Sequence, residues 1–471
     1  MQVNFWAEAI DMLKRFSIVI LLLGAVSMRA QTVIDSCPYS PQHKTSLACL
    51  IPDLTQTGSS QNLSRFNTTV AQIIGQLPLA APVSGFVLRF DRKLGIPVEA
   101  NQNLGSILTQ RANTVGRHKL FLGFTYQRFV FQTIDGVKLS NLPSVYQFGT
   151  IQTTNAANQN VTIAEYGASH NSVSANLSQY AGIVAFGLTD PIDISATVPF
   201  ERVSLSAGNS NLQEAFVTTL TGTSTIIGTS ASNRSNNTQS IAGSATGFGD
   251  IVISAKGTVF NGEKAKLAVG VETRLPTGDQ YNLLGTGAWG VKPYFAFSRS
   301  GRVTPHANVG YQWNNYSNLY INSCYFIPAG AAGSCASSAG LPTLRLPPSI
   351  DYSGGADIGI VKRLSVVADL IGQHYFNAPR VTKPVPASSA NIPGVPIPNP
   401  LNNASIATFN NSQTVQVTTG GINWNNLAVG LKWNPFSRFV FSGNALIRLD
   451  NGSLRPARFV PLLGVSYRFG S

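Results

Sequence analysis

The feature that most constrains the fold of this chain is an alternation of apolar and polar residues at every second position, repeated along most of its length. A period of two is typical of a β-strand whose two faces meet different surroundings. In residues 267–275, for example, Leu267 and Val269 share one face, whereas Glu272 and Arg274 share the other. One face suits lipid or a packed core and the other suits water, so the sequence predicts two-faced strands.

Twelve such segments follow one another, and the lengths of their connections alternate. The predicted strands lie near residues 118–132, 173–188, 192–206, 247–260, 264–275, 286–298, 303–314, 350–361, 364–377, 424–434, 437–449 and 458–469. Short turns alternate with longer connections, mostly rich in Asn, Ser, Thr, Gly and Pro, such as 207–246, 315–349 and 378–423. Barrels of the bacterial outer membrane have an even number of strands, short periplasmic turns and long external loops. We therefore predict an all-β fold, a transmembrane antiparallel β-barrel of about 12 strands over residues 116–471, located in the cell outer membrane with both termini periplasmic.

A soluble β-sandwich would also show alternation, but its strands average about five or six residues and its loop lengths have no reason to alternate. Aromatic residues at the predicted strand ends also match the interfacial girdles of membrane barrels, and they are Trp289, Tyr311, Trp313, Trp433, Phe459, Tyr467 and Phe469.

The last strand resembles the C-terminal signal by which bacterial barrels are recognised for insertion, although Gly470 and Ser471 follow it. The expected partners are outer-membrane lipid and the barrel-insertion machinery.

The N-terminus is typical of a secretory signal. Lys14 and Arg15 precede an apolar run over residues 17–26, and a small residue suited to signal peptidase follows. The run is shorter than the roughly 20 residues that a membrane-spanning helix needs. We predict a signal peptide over residues 1–30, with Met12 as an alternative start.

Residues 31–115 do not follow the alternation. They contain an amphipathic segment over residues 62–77 and an extended segment over residues 85–91. Two interpretations stay open for this region: a plug packed in the barrel lumen, or a periplasmic segment outside it.

The four cysteines form two local couples, Cys37 with Cys49 and Cys324 with Cys335. In an exported protein such couples are disulfide candidates. A zinc site is the alternative, but it usually needs closer spacing and nearby histidines, and the five histidines are scattered. We predict no metal and no cofactor.

The formal net charge of +13 raises the question of nucleic acid binding. However, Lys and Arg are spread singly, and charged residues make up only 11% of the chain. This composition favours a slightly basic surface, and we predict no nucleic acid partner.

Residues 285–290, GTGAWG, fit the G-x-G-x-x-G spelling of a dinucleotide-binding turn. Such a turn requires a following helix whose N-terminus binds the pyrophosphate. The residues that follow, VKPYFAF, alternate and contain Pro293, so they predict a strand. We interpret this stretch as a tight external loop leading into a returning strand, with Trp289 at the lipid boundary.

The polar faces of the predicted strands point into the lumen. The lumen-facing candidates are Asp250, Lys256, Glu272, Arg274, Lys292, His306, Asn308, Gln312, Asp357, Asp369, Lys432 and Arg448. A register that pairs Lys256 with Ala268 also sets Asp250 opposite Arg274, and such a cross-strand charge pair contributes up to about 1 kcal/mol. Two interpretations stay open: these side chains form a constriction or ligand path, or they only brace and hydrate the barrel.

Catalytic motifs are missing from the sequence. It lacks G-x-S-x-G, H-E-x-x-H and a Walker lysine motif. His306 lies on a lumen face where Ser or Asp partners could meet it, which leaves an outer-membrane lipid hydrolase as the least favoured alternative. We predict that the chain is not an enzyme.

The segments GFGDIVISAKGTVF (247–260), KLAVGVETRLPTGDQYNLLGTGAWGVKPY (266–294) and PHANVGYQW (305–313) resemble the outer-membrane transporters of the phenol-degradation meta-pathway family. That family is distantly similar to the fatty acid and toluene channels of the outer membrane. The resemblance implies a monomeric barrel with an N-terminal plug. The function it implies is a channel for passive uptake of hydrophobic or aromatic small molecules. The alternative is a structural or surface-interaction barrel whose long loops do the work.

Overall fold

The structure, a computed structural model, describes residues 46–50, 73, 88–91, 96–99, 109–222, 226–234, 239–321, 343–361, 363–386, 413–415, 417–436 and 439–469. The predicted signal peptide and Cys37, Cys324 and Cys335 lie outside the described residues. Cys49 ends a short 3₁₀-helix, Leu47–Cys49. No helix within the described ranges is long and apolar enough to cross a membrane.

Among the residues that the structure describes, twelve antiparallel strands close into one barrel. In chain order they are β1 (Leu120–Ile134), β2 (Asn160–Gly187), β3 (Ile192–Leu220), β4 (Gln239–Phe248, continued as Ile251–Asn261), β5 (Ala265–Leu275), β6 (Gly290–Arg299), β7 (Val303–Asn314), β8 (Ser349–Val361), β9 (Leu364–Val381), β10 (Val417–Phe436), β11 (Phe439–Arg448) and β12 (Phe459–Phe469). Each strand pairs with the next, and β12 pairs with β1, where Tyr467 lies opposite Leu122. The predicted antiparallel barrel is confirmed. The alternative of a soluble β-sandwich is wrong, because the twelve strands form one closed sheet and not two sheets packed face to face.

The two ends of the barrel differ in their connections. At the short-turn end the connections are residues 188–191, 262–264, 300–302, 362–363 and 437–438. At the opposite, long-loop end the connections contain the 3₁₀-helix Gln280–Asn282 and the strands Val137–Lys138, Leu142–Thr154, Ile226–Arg234, Tyr316–Ile321, Thr343–Arg345, Val385–Pro386, Gln413–Thr414 and Leu454–Pro456. Near the N-terminus, Leu88–Asp91 pairs with Ile96–Glu99.

Large apolar side chains cover the outer face of the barrel. On β6, Phe295 is 58% exposed, whereas its neighbour Ala296 is 0% exposed. Other exposed members of this surface are Ile253, Leu267, Val269, Val271, Phe297, Val309, Trp313, Leu370, Leu431, Trp433, Phe441 and Leu463. Soluble proteins rarely expose so extensive an apolar surface, and a closed barrel leaves no strand edge unpaired in lipid. The outer face is therefore suited to lipid.

Several strands are longer than the alternation predicts, and β2 and β3 exceed their predicted lengths the most. β2 starts at Asn160 and β3 ends at Leu220, each well beyond its predicted end near the long loops. Their extensions pair with Leu142–Thr154 and with Ile226–Arg234. These extensions are rich in Ser, Thr and Asn, so no apolar period marks them as strands in the sequence.

The predicted register of the hairpin between β4 and β5 is wrong. Lys256 lies opposite Gly270, two residues from the predicted partner, Ala268. The closing pair is Asn261 with Lys266, so the turn is longer than the tight turn that the prediction assumes.

Candidate functional site

Inward-facing side chains of the barrel form two regions of opposite polarity. Toward the long-loop end they are apolar and buried, and this apolar tier comprises Phe129, Phe131, Leu177, Val203, Leu205, Ile371, Tyr375, Ile422, Trp424, Leu446 and Val460. Toward the short-turn end they are polar and buried, and this polar tier comprises Gln127, Gln179, Asp193, Glu201, Lys256, Ser298, His306, Asp357, Asp369 and Lys432. A solute that crossed the barrel would meet one tier after the other.

Described pieces of the N-terminal region lie against both tiers. Leu47, Leu50 and Ile73 belong to the same buried cluster as the apolar tier. The backbone N–H of Leu47 donates to Asn282 Oδ1 at 3.3 Å. Residues 109–115, which we call the internal segment, contact the polar tier.

Lys256 holds the internal segment by its backbone. Its Nζ donates to the carbonyl oxygens of Arg111 at 3.0 Å and of Asn113 at 2.7 Å. Bonds from a charged donor are stronger than those between neutral groups. Because they go to backbone oxygens, they do not depend on which side chains the segment carries.

Neighbouring side chains hold the same backbone. Thr258 Oγ1 donates to the carbonyl oxygen of Ala112 at 2.7 Å, and Ser298 Oγ accepts the N–H of Ala112 at 3.0 Å. The carboxylate of Asp193 accepts the N–H of Val115 at 2.7 Å. The barrel wall thus satisfies backbone groups that water would otherwise have to satisfy.

Arg111 enters a buried cluster of charges. Its guanidinium forms an ion pair with Asp357. His306 bridges two carboxylates, since Nδ1 lies 3.5 Å from Asp357 Oδ2 and Nε2 lies 2.7 Å from Asp369 Oδ1. Burial lowers the pKa of the Arg111 guanidinium to about 10, while the charge of Asp369 opposes that decrease, so Arg111 stays cationic at neutral pH. Lys432 interacts electrostatically with Arg111 and Asp369.

The contacts of His306 do not form a nucleophile–base pair. Besides Asp369, its ring contacts the backbone oxygen of Thr304, at 3.2 Å from Nδ1. Within the described ranges, no hydroxyl group is hydrogen-bonded to the ring, although nucleophilic catalysis by Ser would require one. No group of three or more His, Cys, Asp or Glu among the described residues is placed to hold a metal ion.

A second charge cluster lies on β5, β6 and β8. Lys292 Nζ is 2.6 Å from Glu272 Oε2 and 3.2 Å from Asp351 Oδ2. The side chain of Gln110 donates to Glu272 Oε1 at 3.2 Å, and Asn308 Nδ2 donates to the carbonyl oxygen of Gln110 at 3.1 Å. This cluster therefore also contacts the internal segment.

Asp250 holds the loop between β5 and β6 inside the barrel. Its carboxylate accepts the backbone N–H of Gly278 at 3.1 Å, the N–H of Thr286 at 2.8 Å and the Thr286 hydroxyl at 2.6 Å. Arg274 Nε lies 3.9 Å from Asp250 Oδ2, and Arg274 Nη2 donates to Asn314 Oδ1 at 2.6 Å. The predicted proximity of Asp250 and Arg274 therefore occurs despite the different register.

The same loop contains GTGAWG and differs from the expected tight external loop. Leu283 and Leu284 are buried in the cluster of the apolar tier, and strand β6 begins only at Gly290, not near residue 286. The reason is the anchoring by Asp250, which folds the loop inward. A strand follows the motif instead of a helix, so it lacks the geometry of a dinucleotide site.

The remaining candidates lie apart from the internal segment. Gln312 Nε2 donates to Asn314 Oδ1 at 3.2 Å. Arg448 Nη1 donates to Thr133 Oγ1 at 3.1 Å near the long-loop end.

Two charged residues of the site were not among the sequence candidates. Asp351 could have been predicted, because its even spacing from the candidate Asp357 puts both on the same face of the strand. Arg111 carried no comparable signal, because it precedes the alternating segments.

Comparison with known proteins supports the expected family. Residues 148–327 match the model of a family described as "Putative MetA-pathway of phenol degradation". The expected resemblance to this family is confirmed over these residues. No curated protein matches the chain in sequence.

Several solved structures are similar to this chain at low sequence identity. An outer membrane channel from Pseudomonas putida F1 has a TM-score of 0.39 at 12% identity, covering 77% of this chain and 99% of that one. The CymD monoaromatic hydrocarbon channel has a TM-score of 0.32 at 7% identity, covering 75% of this chain and 90% of that one. A FadL homologue from Pseudomonas aeruginosa has a TM-score of 0.26 at 8% identity, again covering 75% and 90%. Since these TM-scores are low, the barrel architecture rests on the strand pairing of this chain.

Proposed function

We propose that this protein is an outer-membrane channel for passive uptake of hydrophobic or aromatic small molecules. The observation that carries the proposal is the apolar tier, a set of buried apolar side chains inside a barrel whose outer face is also apolar. Water-filled barrels have polar interiors. Burying apolar surface contributes about 25 cal/mol per Å², so this interior suits an apolar solute or an apolar plug better than a column of water. The match to a family tied to phenol degradation also supports it.

Residues 31–115 act in this proposal as a plug with two parts. Leu47, Leu50 and Ile73 cover the apolar tier, where they take the place of a solute. The internal segment is anchored in the polar tier by Lys256 and its neighbours. A solute passes only when the apolar part moves aside, while the anchor remains bound.

The proposed topology follows from the two ends of the barrel. Leu120 and Phe469 lie opposite each other at the short-turn end, so both ends of the barrel sheet are there. We place this end in the periplasm, because membrane barrels have their short turns on that side. In this arrangement residues 116–471 form a monomeric barrel that the insertion machinery assembles.

Uptake by cells of a Gram-negative host tests the channel and the plug separately. Radiolabelled toluene and phenol are supplied to cells with the full protein, to cells with a variant lacking residues 31–108, and to cells with neither. We expect faster uptake with the full protein than without it, and faster still with the truncated form, which keeps the internal segment. Equal uptake by the two forms contradicts the plug, and no gain by either contradicts the channel in favour of a structural or surface-interaction barrel.

A further inference from the structure

Three buried side chains form a cluster of hydrogen-bonding groups next to the apolar side chains of the apolar tier. Trp424, Asn426 and Arg455 are 1%, 2% and 0% exposed, and we call them the donor cluster. Trp424 and Asn426 share the inward face of β10. Arg455 comes from Leu454–Pro456, in the connection between β11 and β12.

Arg455 joins the three side chains. Its guanidinium carbon lies 4.8 Å from the centroid of the Trp424 ring, a cation–π geometry. Its Nη1 donates to Asn426 Oδ1 at 3.5 Å, and its Nη2 donates to the carbonyl oxygen of Asn425 at 3.2 Å. An ion pair with Asp450 completes its contacts.

The cluster offers hydrogen-bond donors that its own residues do not use. The indole Nε1 of Trp424, the amide Nδ2 of Asn426 and the Nε of Arg455 have no hydrogen-bond partner among the residues that the structure describes. Buried polar groups normally have a partner, because leaving one unpaired is costly. All three atoms are donors, so a partner that satisfies them must bring oxygen acceptors.

The surroundings define the rest of that partner. Ile422 and Leu446, together with Tyr375, belong to the same buried cluster as Trp424, so the space around the donors is apolar and aromatic. Arg448 lies opposite Asn426 in the pairing of β10 with β11. Two arginines and one carboxylate leave the site with a net positive charge, which favours an anionic oxygen.

We propose that the donor cluster binds the carboxylate or phenolate oxygen of an aromatic solute whose ring packs against the apolar tier. This inference rests on the proposed function and names the substrate class: aromatic compounds with an acidic oxygen substituent. Trp424 and Asn426 supply neutral donors to that oxygen, while Arg455 supplies charge.

The test measures binding of radiolabelled benzoate to the full-length protein by equilibrium dialysis, together with toluene uptake by cells. Trp424→Phe keeps an aromatic ring and removes the indole N–H. Asn426→Asp keeps the side-chain shape and replaces the donor by a carboxylate oxygen. We expect benzoate affinity to fall about tenfold in Trp424→Phe and further in Asn426→Asp, whereas toluene uptake with Asn426→Asp, a change outside the apolar tier, should stay within about twofold of the unchanged protein. Trp433→Phe is the matched control, since Trp433 is 54% exposed on the outer face of the same strand.

The outcomes separate this inference from the proposed function. Unchanged benzoate affinity in both variants overturns the donor cluster and leaves the channel intact. Parallel loss of benzoate binding and toluene uptake in Asn426→Asp also overturns it, because a donor-specific site requires selectivity. If no form of the protein raises toluene uptake, the proposed channel fails, whereas a fall of benzoate affinity confined to the two cluster variants still supports the site.

Discussion

Replacing Lys256 by Met should loosen the internal segment while leaving the barrel strands in place. Lys256 is buried, and its Nζ donates to the carbonyl oxygens of Arg111 at 3.0 Å and of Asn113 at 2.7 Å. Hydrogen bonds to charged groups contribute about 1.5–3 kcal/mol each. Losing two such bonds, at the lower value, raises the population of the released segment by a factor on the order of 10².

Hydrogen exchange read by mass spectrometry on the peptide covering residues 109–115 measures that population. Thr258→Val removes one neutral bond, to the carbonyl oxygen of Ala112 at 2.7 Å, and should accelerate exchange only about fivefold. Lys264→Met, in the turn between β4 and β5, is the control and should change nothing. Unchanged exchange in Lys256→Met would refute the anchoring role, and so would an acceleration that spreads equally over β4 and β5.

Three further predictions address other contacts. Arg111→Met removes the guanidinium that forms an ion pair with the buried carboxylate of Asp357 and should lower the free energy of unfolding by about 3–5 kcal/mol. Adding Asp357→Asn should restore part of that loss in denaturant titrations, and no recovery would argue against the pair. Asp250→Ala removes the acceptor of the Thr286 N–H, so exchange in the loop between β5 and β6 should rise about tenfold, and an unchanged rate would contradict its role as an anchor. Phe295→Lys places a charge on the outer face, which costs about 2–4 kcal/mol near the middle of a bilayer. The folded yield in lipid vesicles should therefore fall relative to the control Phe295→Leu. Equal yields would mean that this face does not contact lipid.

The twelve barrel strands were predictable because each one separates an apolar exterior from its interior. On β5, Leu267 and Val269 are exposed on the outer face while Arg274 is buried inside, as their alternation predicts. The long extensions of β2 and β3 were not predictable, because their Ser, Thr and Asn residues have similar polarity on both faces. The inward fold of the loop before β6 depends on Asp250, which is close to that loop only in the closed barrel.

In the candidate site, the barrel residues of each contact were predictable from the sequence, whereas their partners in the internal segment were not. Lys256 and Asp357 could be assigned to the interior from parity alone. Their partner Arg111 could not, since it belongs to a segment without periodicity that meets the barrel wall through tertiary contacts. The same holds for the donor cluster. Trp424 is the first residue of a predicted strand, whereas Arg455 belongs to a connection whose contact with the Trp424 ring could not be predicted from the sequence.

The most direct test of the apolar tier is the ratio of toluene uptake to arabinose uptake in cells that carry the variant lacking residues 31–108. The cells need an intact lipopolysaccharide layer, because toluene crosses plain phospholipid without a channel. Leu177 is buried in the apolar tier, and Leu177→Asn exchanges its apolar side chain for a polar one. We predict a ratio far above that of cells without the protein, which falls about tenfold in Leu177→Asn. A ratio equal to that of a water-filled porin, or one that Leu177→Asn leaves unchanged, would contradict uptake through the apolar tier.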